Sequence, residues 1–210
     1  MRSVILFTVA LIAAIGASAQ DTSENPKNLV KLNFDGLFDA RYQVGIERVV
    51  GKYTSVQLNA GLLFDYEISE STSSNTTTDN RMSGFVLTPE FRVYLSEFTK
   101  NETPKGFFVG LFGRVRDFTS SNYYSDGWVE DDSFTDVTTV GAGLHVGFQY
   151  FTSFGLGFDA WVGPEFRYRT EDSSTEINYT DVFMQDISSS SSTRVFETVG
   201  FAGVGIVYAF

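Results

Sequence analysis

The chain has 210 residues, with 15 Lys and Arg against 26 Asp and Glu, and a formal net charge of −11. This acidity argues against a nucleic-acid-binding surface, and the lack of cysteine excludes disulfides, thiolate metal sites and thiol catalysis. The mean hydropathy is −0.05 and the one long apolar run lies at the N-terminus, which excludes a bundle of membrane-spanning helices.

Residues 1–19 have the pattern of a secretory signal peptide. A positive residue follows the first Met, the stretch 4–15 is apolar apart from one Thr, and a small-x-small cleavage site ends at Ala19. The apolar stretch is shorter than the ~20 residues that a spanning helix needs. We therefore expect export and cleavage after Ala19, followed by a periplasmic lead at 20–27 and a single domain at 28–210.

The rest of the sequence alternates apolar and polar residues with a period of two, and no stretch holds the period of an amphipathic helix. Between 140 and 150, Val, Ala, Leu, Val, Phe and Tyr occupy the even positions, and Gly, His and Gln the odd ones. Such alternation is typical of a β-strand with one apolar face. It predicts eight strands, at about 28–36, 41–50, 53–66, 81–95, 106–118, 136–150, 154–170 and 195–210.

The polar faces of these strands carry a balanced set of charges, seven acidic and seven basic, although the whole chain is acidic. A soluble sandwich or barrel would show the same alternation. The balance favours the inside of a narrow closed barrel, where each charge needs a partner. We predict that these side chains form a charge network in a barrel interior: Lys31, Asp35, Arg41, Glu47, Asp65, Glu90, Arg92, Arg114, Arg116, Asp159, Glu165, Arg167, Arg169 and Glu197.

The opposite faces of the strands are almost entirely Val, Leu, Ile, Ala, Phe and Tyr, and aromatic residues gather near both strand ends. This pattern is typical of a lipid-facing surface between two aromatic girdles. An even number of strands of this length also suits a tilted crossing of a bilayer. The sequence therefore predicts an all-β fold, an eight-stranded antiparallel up-and-down transmembrane β-barrel.

The connections between the predicted strands alternate in length, with long ones at 67–80, 119–135 and 171–194. Barrels of this class keep short turns on the periplasmic side and long loops outside the cell. The long connections are rich in Ser, Thr, Asn and Asp, so we expect mobile loops. Carboxylates within 126–132 could hold a hard cation, but a solvated, self-repelling loop is the favoured interpretation.

Eight strands leave an interior just wide enough for side chains to fill. We therefore expect a plugged lumen, and a narrow channel is the alternative. Besides the charges, the residues expected inside are Phe108, Phe112, Trp161 and Phe201.

His145 is the single histidine of the chain, and alternation places it in the middle of the barrel interior. A hydrogen bond to a carboxylate or to Gln149 is favoured there over a role as a general base. Acyl-transfer or hydrolytic chemistry needs a nucleophile, a base and an orienting group, and the sequence offers no clear set. We expect no enzymatic activity, no cofactor and no metal, and a lipid-modifying enzyme is the alternative.

The last strand ends on Tyr208 and Phe210, with apolar residues at alternate positions before them. It resembles the assembly signal of Gram-negative outer-membrane proteins, in which the terminal Phe strand is read by the barrel-assembly machinery. With the Pro-Glu-Phe-Arg segments at 89–92 and 164–167, the chain resembles the small outer-membrane β-barrel families near OmpX and the OmpA transmembrane domain. Since the strands occupy the chain up to Phe210, we expect no cell-wall-binding domain of the OmpA type.

These expectations combine into one hypothesis, a monomeric outer-membrane barrel with a structural or surface-interaction role such as adhesion or docking. Its expected partners are outer-membrane lipids, the barrel-assembly machinery and an extracellular surface partner, with no nucleic acid.

Overall fold

The computed structural model describes residues 26–35, 41–73, 76–95, 104–126, 128–179 and 187–210. The predicted signal peptide lies outside these residues. The described chain is built of eight strands: β1 (Asn28–Asp35), β2 (Arg41–Val49), β3 (Thr54–Ser73), β4 (Thr76–Tyr94), β5 (Gly106–Ser125), β6 (Val129–Phe151), β7 (Leu156–Tyr179) and β8 (Ile187–Ala209). It contains no helix that is long and apolar enough to cross a membrane.

The strands form a closed antiparallel barrel. Each strand pairs with its neighbours in the sequence, and β1 pairs with β8. At this seam the amide of Phe210 donates to the carbonyl of Asn28 (2.9 Å), and the amide of Asn28 donates to the carbonyl of Phe210 (3.1 Å). Closure removes the unpaired edges that an open sheet would present. The predicted eight-stranded up-and-down barrel is confirmed.

The polarity of the barrel wall is the reverse of that in a soluble protein. Outward-facing apolar side chains are exposed, for example Leu62 (63%) and Val162 (56%). Charged side chains such as Lys31 and Arg92 are buried in the interior. Because successive residues of a strand point to opposite faces, the period-two pattern of the sequence places the two chemistries on opposite sides of one wall.

The strands from β3 to β8 are longer than the sequence pattern predicts. They have 19–24 residues, whereas β1 and β2 have 8 and 9. The described residues of the predicted loops at 67–80, 119–135 and 171–194 are mostly strand, so the expectation of loops at these positions is wrong. The β5–β6 register runs without a shift from Gly106 opposite Gln149 to Ser125 opposite Glu130.

The physical reason is that a hairpin ladder satisfies backbone N–H and C=O groups without any apolar side chain to bury. The low hydrophobicity of these segments indicates that their side chains are not buried in a core. It does not indicate whether their backbone groups are paired. The three long hairpins therefore continue as one six-stranded sheet beyond the barrel, on the side opposite the short turns. We call this part of β3–β8 the projecting sheet.

The short turn between β6 and β7 depends on a glycine. Gly155 has φ +88°, a left-handed conformation that side chains with a Cβ adopt at a cost. Its amide donates to the carbonyl of Thr152 (3.0 Å), and its carbonyl accepts from the amide of Ala209 (2.9 Å). The turn therefore joins the β6–β7 hairpin to the last strand.

We expect Gly155→Ala to lower the free energy of unfolding by at least about 1–2 kcal/mol, because a Cβ strains the left-handed backbone and would collide with the carbonyl oxygen of Ala209. Gly200→Ala is the matched control, since a Cβ at Gly200 meets no atom within 4 Å. The measurement is equilibrium unfolding in urea after refolding into lipid vesicles. Equal losses in the two variants would contradict the assignment of strain to Gly155.

Candidate functional site

The barrel interior next to the short turns holds a buried ion cluster. The ammonium of Lys31 lies 2.5 Å from Glu47 Oε2 and 2.7 Å from Asp159 Oδ2. The guanidinium of Arg92 donates to Asp159 Oδ2 (2.7 Å) and, through its Nε, to Glu90. The five residues come from β1, β2, β4 and β7, and the pairs made by Asp159 connect β7 to β1 and β4, with which β7 shares no backbone ladder.

Neutral polar groups complete the hydrogen bonding of this ion cluster. The hydroxyls of Tyr94 and Ser55 both donate to Glu47 Oε1, each at 2.5 Å. Gln149 Oε1 accepts from Lys31 Nζ (2.5 Å), and the Gln149 amide donates to the carbonyl of Pro104 (2.7 Å). Tyr94 and Ser55 are functional members of this cluster that were not predicted from the sequence. Strand parity alone places them inside, because both share a face with predicted network residues.

An aromatic layer lies above the ion cluster and surrounds the single histidine. His145 Nε2 is 2.7 Å from Glu90 Oε1, and the imidazole stacks on Phe112 with ring centroids 5.5 Å apart. Gly110 faces this imidazole, and a Cβ there would collide with His145 and Glu90. The other rings of the layer are Phe108, Trp161 and Phe201.

Two arginines connect the aromatic layer to the charges on either side of it. The guanidinium carbon of Arg92 lies 4.1 Å from the Phe108 ring centroid, and that of Arg114 lies 5.0 Å from the Phe112 centroid. A cation over an aromatic face is electrostatically favourable, more so when desolvated. The layer therefore binds charge while it fills the lumen.

A second group of charges lies beyond the aromatic layer, toward the projecting sheet. Arg114 and Arg116 both donate to Glu165 Oε2, at 2.9 and 3.0 Å. Nearer the rim, Arg167 pairs with Glu197 (2.7 Å), and these side chains are partly exposed.

Arg169 Nη2 pairs with Glu171 (2.6 Å) at the same rim, a partner that lies outside the predicted network. The side chains of Asp35, Arg41 and Asp65 lie outside the part of the chain that the structure describes. The remaining predicted network residues line the interior or its rim, divided into separate groups.

The turn end of the interior is closed by an apolar cluster. Leu29, Phe151, Val207 and Ala209 are buried together, with Val49 packed against them. These residues are not among those expected inside from the sequence, although strand parity gives Leu29 and Val207 inward positions. The apolar side chains of this cluster seal the lumen below the ion cluster.

Little empty space remains between the layers. A cavity lined by Asn33, Gln57 and Trp161, among others, has a volume of about 10 Å³. That is room for about one water molecule. Side chains therefore fill this part of the lumen.

The carboxylates within 126–132 do not come together as one cluster. Asp126 Oδ1 accepts from the amides of Trp128 and Val129, both at 2.9 Å, and so caps the turn between β5 and β6. Glu130, Asp131 and Asp132 follow on β6 and point alternately to its two faces. Among the described residues, no group of three or more His, Asp or Glu is placed to hold a metal ion.

The closed wall, apolar outside and charged inside, defines the structural class as an eight-stranded antiparallel β-barrel of inverted polarity. The chain belongs to the family described as "Protein of unknown function (DUF3575)", whose model matches residues 4–210. No curated protein matches the sequence significantly.

Solved structures with similarity include CarO of Acinetobacter baumannii, at 11% identity and a TM-score of 0.45, covering 91% of this chain and 100% of that one. A major outer membrane protein from Thermus thermophilus is 14% identical with a TM-score of 0.49, covering 89% of this chain and 100% of that one. The fold assignment rests on this chain's own strand pairing.

We expect Asp159→Asn to cost about 3–5 kcal/mol in the free energy of unfolding, because Lys31 and Arg92 keep their buried charges and lose a shared partner. Asp172→Asn is the matched control, since Asp172 is exposed on β7, and we expect a change within about 0.5 kcal/mol. The same urea titration measures both. A loss at Asp159 no larger than at Asp172 would show that the pairing adds nothing.

The pKa of Asp126 lies below its ordinary value because the amides of Trp128 and Val129 donate to the carboxylate. Because the pKa is lower in the folded protein, these hydrogen bonds stabilise the turn fully at pH values above the unfolded-state pKa of about 3.9. The stabilisation is lost as the pH falls through the lowered value. We expect the two amide proton shifts to move in an NMR titration over that range. Asp126→Asn keeps an acceptor oxygen and should remove the pH dependence, and persistence of the titration in that variant would contradict it.

Proposed function

We propose that the protein is an outer-membrane β-barrel with a structural or surface-interaction role, such as adhesion or docking of a partner, and without enzymatic activity. One observation carries this proposal, the closed barrel with an apolar outer wall and an interior filled by paired charges. The resemblance of its last strand to the outer-membrane assembly signal and the predicted signal peptide support the same location.

The apolar wall has the dimensions of a bilayer core. On β7 the outward residues run from Leu156 to Tyr168, which is twelve steps along the strand. At ~3.3 Å per residue and a tilt of about 40°, these steps rise roughly 30 Å, the thickness of the hydrocarbon layer. A continuous apolar surface of this extent is unfavourable in water, and a closed barrel leaves no unsatisfied strand edge in lipid.

Aromatic side chains bound the apolar wall at both levels. Phe107, Tyr150 and Phe154 are exposed near the short turns, whereas Phe166 and Tyr168 are exposed toward the projecting sheet. Tyr and other aromatic residues are favoured at the two membrane–water interfaces. This distribution supports an orientation with the turns on the periplasmic side and the projecting sheet outside the cell.

The projecting sheet supports the surface-interaction role. Among the described residues, β8 pairs with β1 only from Gly203 to Ala209, so its stretch 187–202 has a partner on one side only. An edge with unpaired backbone groups can accept another strand. A sheet held above a membrane by a rigid barrel presents such an edge to partners.

The two alternatives receive less support. A narrow channel is disfavoured because buried side chains meet across the lumen, and the cavity beside Asn33, Gln57 and Trp161 has room for about one water molecule. A lipid-modifying enzyme would need a general base within hydrogen-bond reach of its substrate, and His145 is 4% exposed in the interior, where aromatic side chains surround it.

The membrane proposal is tested by expressing the full chain in a Gram-negative host. We expect recovery in the outer-membrane fraction, a need for detergent, and faster gel migration of unheated than of heated samples. Planar bilayers should show no steady conductance. A monodisperse protein in buffer without detergent would overturn the membrane assignment, and steady conductance would favour the channel.

The orientation is tested by single cysteines, since the natural chain has none. Ser190→Cys lies in the projecting sheet and Ser153→Cys lies in a short turn, and both positions are exposed. A membrane-impermeant maleimide should label Ser190→Cys on intact cells, and Ser153→Cys only after lysis. The opposite result would invert the barrel.

A further inference from the structure

The outer face of the projecting sheet contains a groove with an exposed aromatic ring. The groove has a volume of about 250 Å³ and lies across β6, β7 and β8. Phe134 forms one wall and is 47% exposed, while Ser174 and Ser190 are small and leave room beside the ring. Asp132 and Glu176 line the same groove. The depression is therefore apolar at one wall and acidic at one end.

The register of β6 and β7 places like charges directly opposite one another at two levels. Asp132 lies opposite Glu176, and Asp136 lies opposite Asp172, with Phe134 opposite Ser174 between them. Like charges in opposed positions destabilise a sheet. Among the described residues none of these four carboxylates forms an ion pair. Asp136 does accept a hydrogen bond from the Thr119 hydroxyl (2.6 Å).

These rows lie beyond the apolar wall, on its outer side. On β7, Asp172 follows the girdle residue Tyr168 by four positions, and the Glu176 row lies four positions further. The rows therefore stand clear of the lipid band, where a protein segment can approach them.

We propose that this outer face docks an extended basic peptide segment of a surface partner, with cationic side chains at positions i and i+4 and an apolar side chain at i+2. This inference rests on the proposed outward orientation of the sheet. The two acidic rows are four residues apart, or about 13 Å along the strand. An extended peptide repeats at the same spacing, so each cation meets one acidic pair while the central side chain meets Phe134.

Charge complementarity supports this occupant over others. A Lys or Arg seated at each row replaces a repulsion by two attractions and steers the encounter through the acidic field of the chain. The two rows are too far apart to share a single metal ion, and a hard cation such as Ca²⁺ takes six to eight oxygen ligands. An acidic or phosphorylated segment would be repelled.

The test measures peptide binding to the full mature protein in nanodiscs by fluorescence anisotropy at fixed salt. The probe is a seven-residue Ser-based peptide with Lys at positions 2 and 6 and Leu at position 4. Its isomer has the same composition with the two Lys adjacent. We expect the spaced peptide to bind at least tenfold more tightly, with an affinity that falls as salt increases. Equal affinities for the two isomers would overturn the proposal.

Two double variants separate the rows from the general field. Asp136→Asn with Asp172→Asn should weaken the spaced peptide at least fivefold. Asp117→Asn with Glu130→Gln removes the same charge from exposed positions on the same face, and should change the affinity less than twofold. If both double variants weaken peptide affinity equally, the peptide responds only to the overall charge of the face, and the proposal is overturned.

Two further measurements complete the test. With Phe134→Ala, the preference for Leu over Ser at the central peptide position should disappear, and an unchanged preference would contradict the seating. Ca²⁺ at matched ionic strength should compete no better than Na⁺, and selective competition would indicate a cation site instead. Nanodiscs expose both ends of the barrel, so peptide binding to the wild-type protein does not depend on its orientation in cells. If the spaced peptide does not bind in nanodiscs but Ser190→Cys is labelled on intact cells, the peptide-docking inference is refuted and the proposed orientation stands.

Discussion

Lys31 and Arg92 share one buried carboxylate, Asp159, inside a barrel whose cavity beside Arg92 has room for about one water molecule. A closed wall with apolar residues outside has no other place for the alternate side chains than its interior. Buried charge without a partner costs several kcal/mol, so the polar face must be neutralised across the lumen. The positions of the surrounding residues follow from this requirement.

Ion pairs of this kind connect strands that the backbone ladder does not join. The ladder fixes each strand to its two neighbours, whereas Asp159 on β7 contacts residues from β1 and β4. Buried pairs add little net stability compared with a well-packed apolar core, but removing one partner is costly. We infer that the ion cluster selects one arrangement of the interior. The aromatic layer and the apolar seal at Leu29 and Phe151 then exclude water from it.

A rigid, filled barrel is also a suitable base for the projecting sheet. The same strands run from the barrel into the sheet without a break in register along β5, β6, β7 and β8. The described ends of these strands are therefore held by continuous backbone pairing. On the proposed function, the β8 edge at 187–202, which pairs on one side only among the described residues, and the outer face of this sheet are presented to partners above the lipid.

The amino-acid sequence by itself predicted the strand number, the closed antiparallel architecture and the face to which alternate side chains point where the strands are regular. The period of two is a covalent property of extended backbone, so parity carries residues such as Trp161 and Glu165 to the inside without any knowledge of their neighbours. The sequence did not determine where the strands end in the Ser- and Thr-rich hairpins, because backbone pairing does not depend on the hydropathy of the side chains.

Only the tertiary structure decided which charges meet. The parity of a residue in its strand gives the face of the wall to which its side chain points. The position of that side chain along and around the barrel axis depends on the register between strands and on the pairing of β1 with β8. This is why Tyr94 beside Glu47, the stacking of His145 on Phe112, and the opposition of Asp136 to Asp172 emerge from the fold. Contacts between residues distant in sequence are properties of the closed ladder.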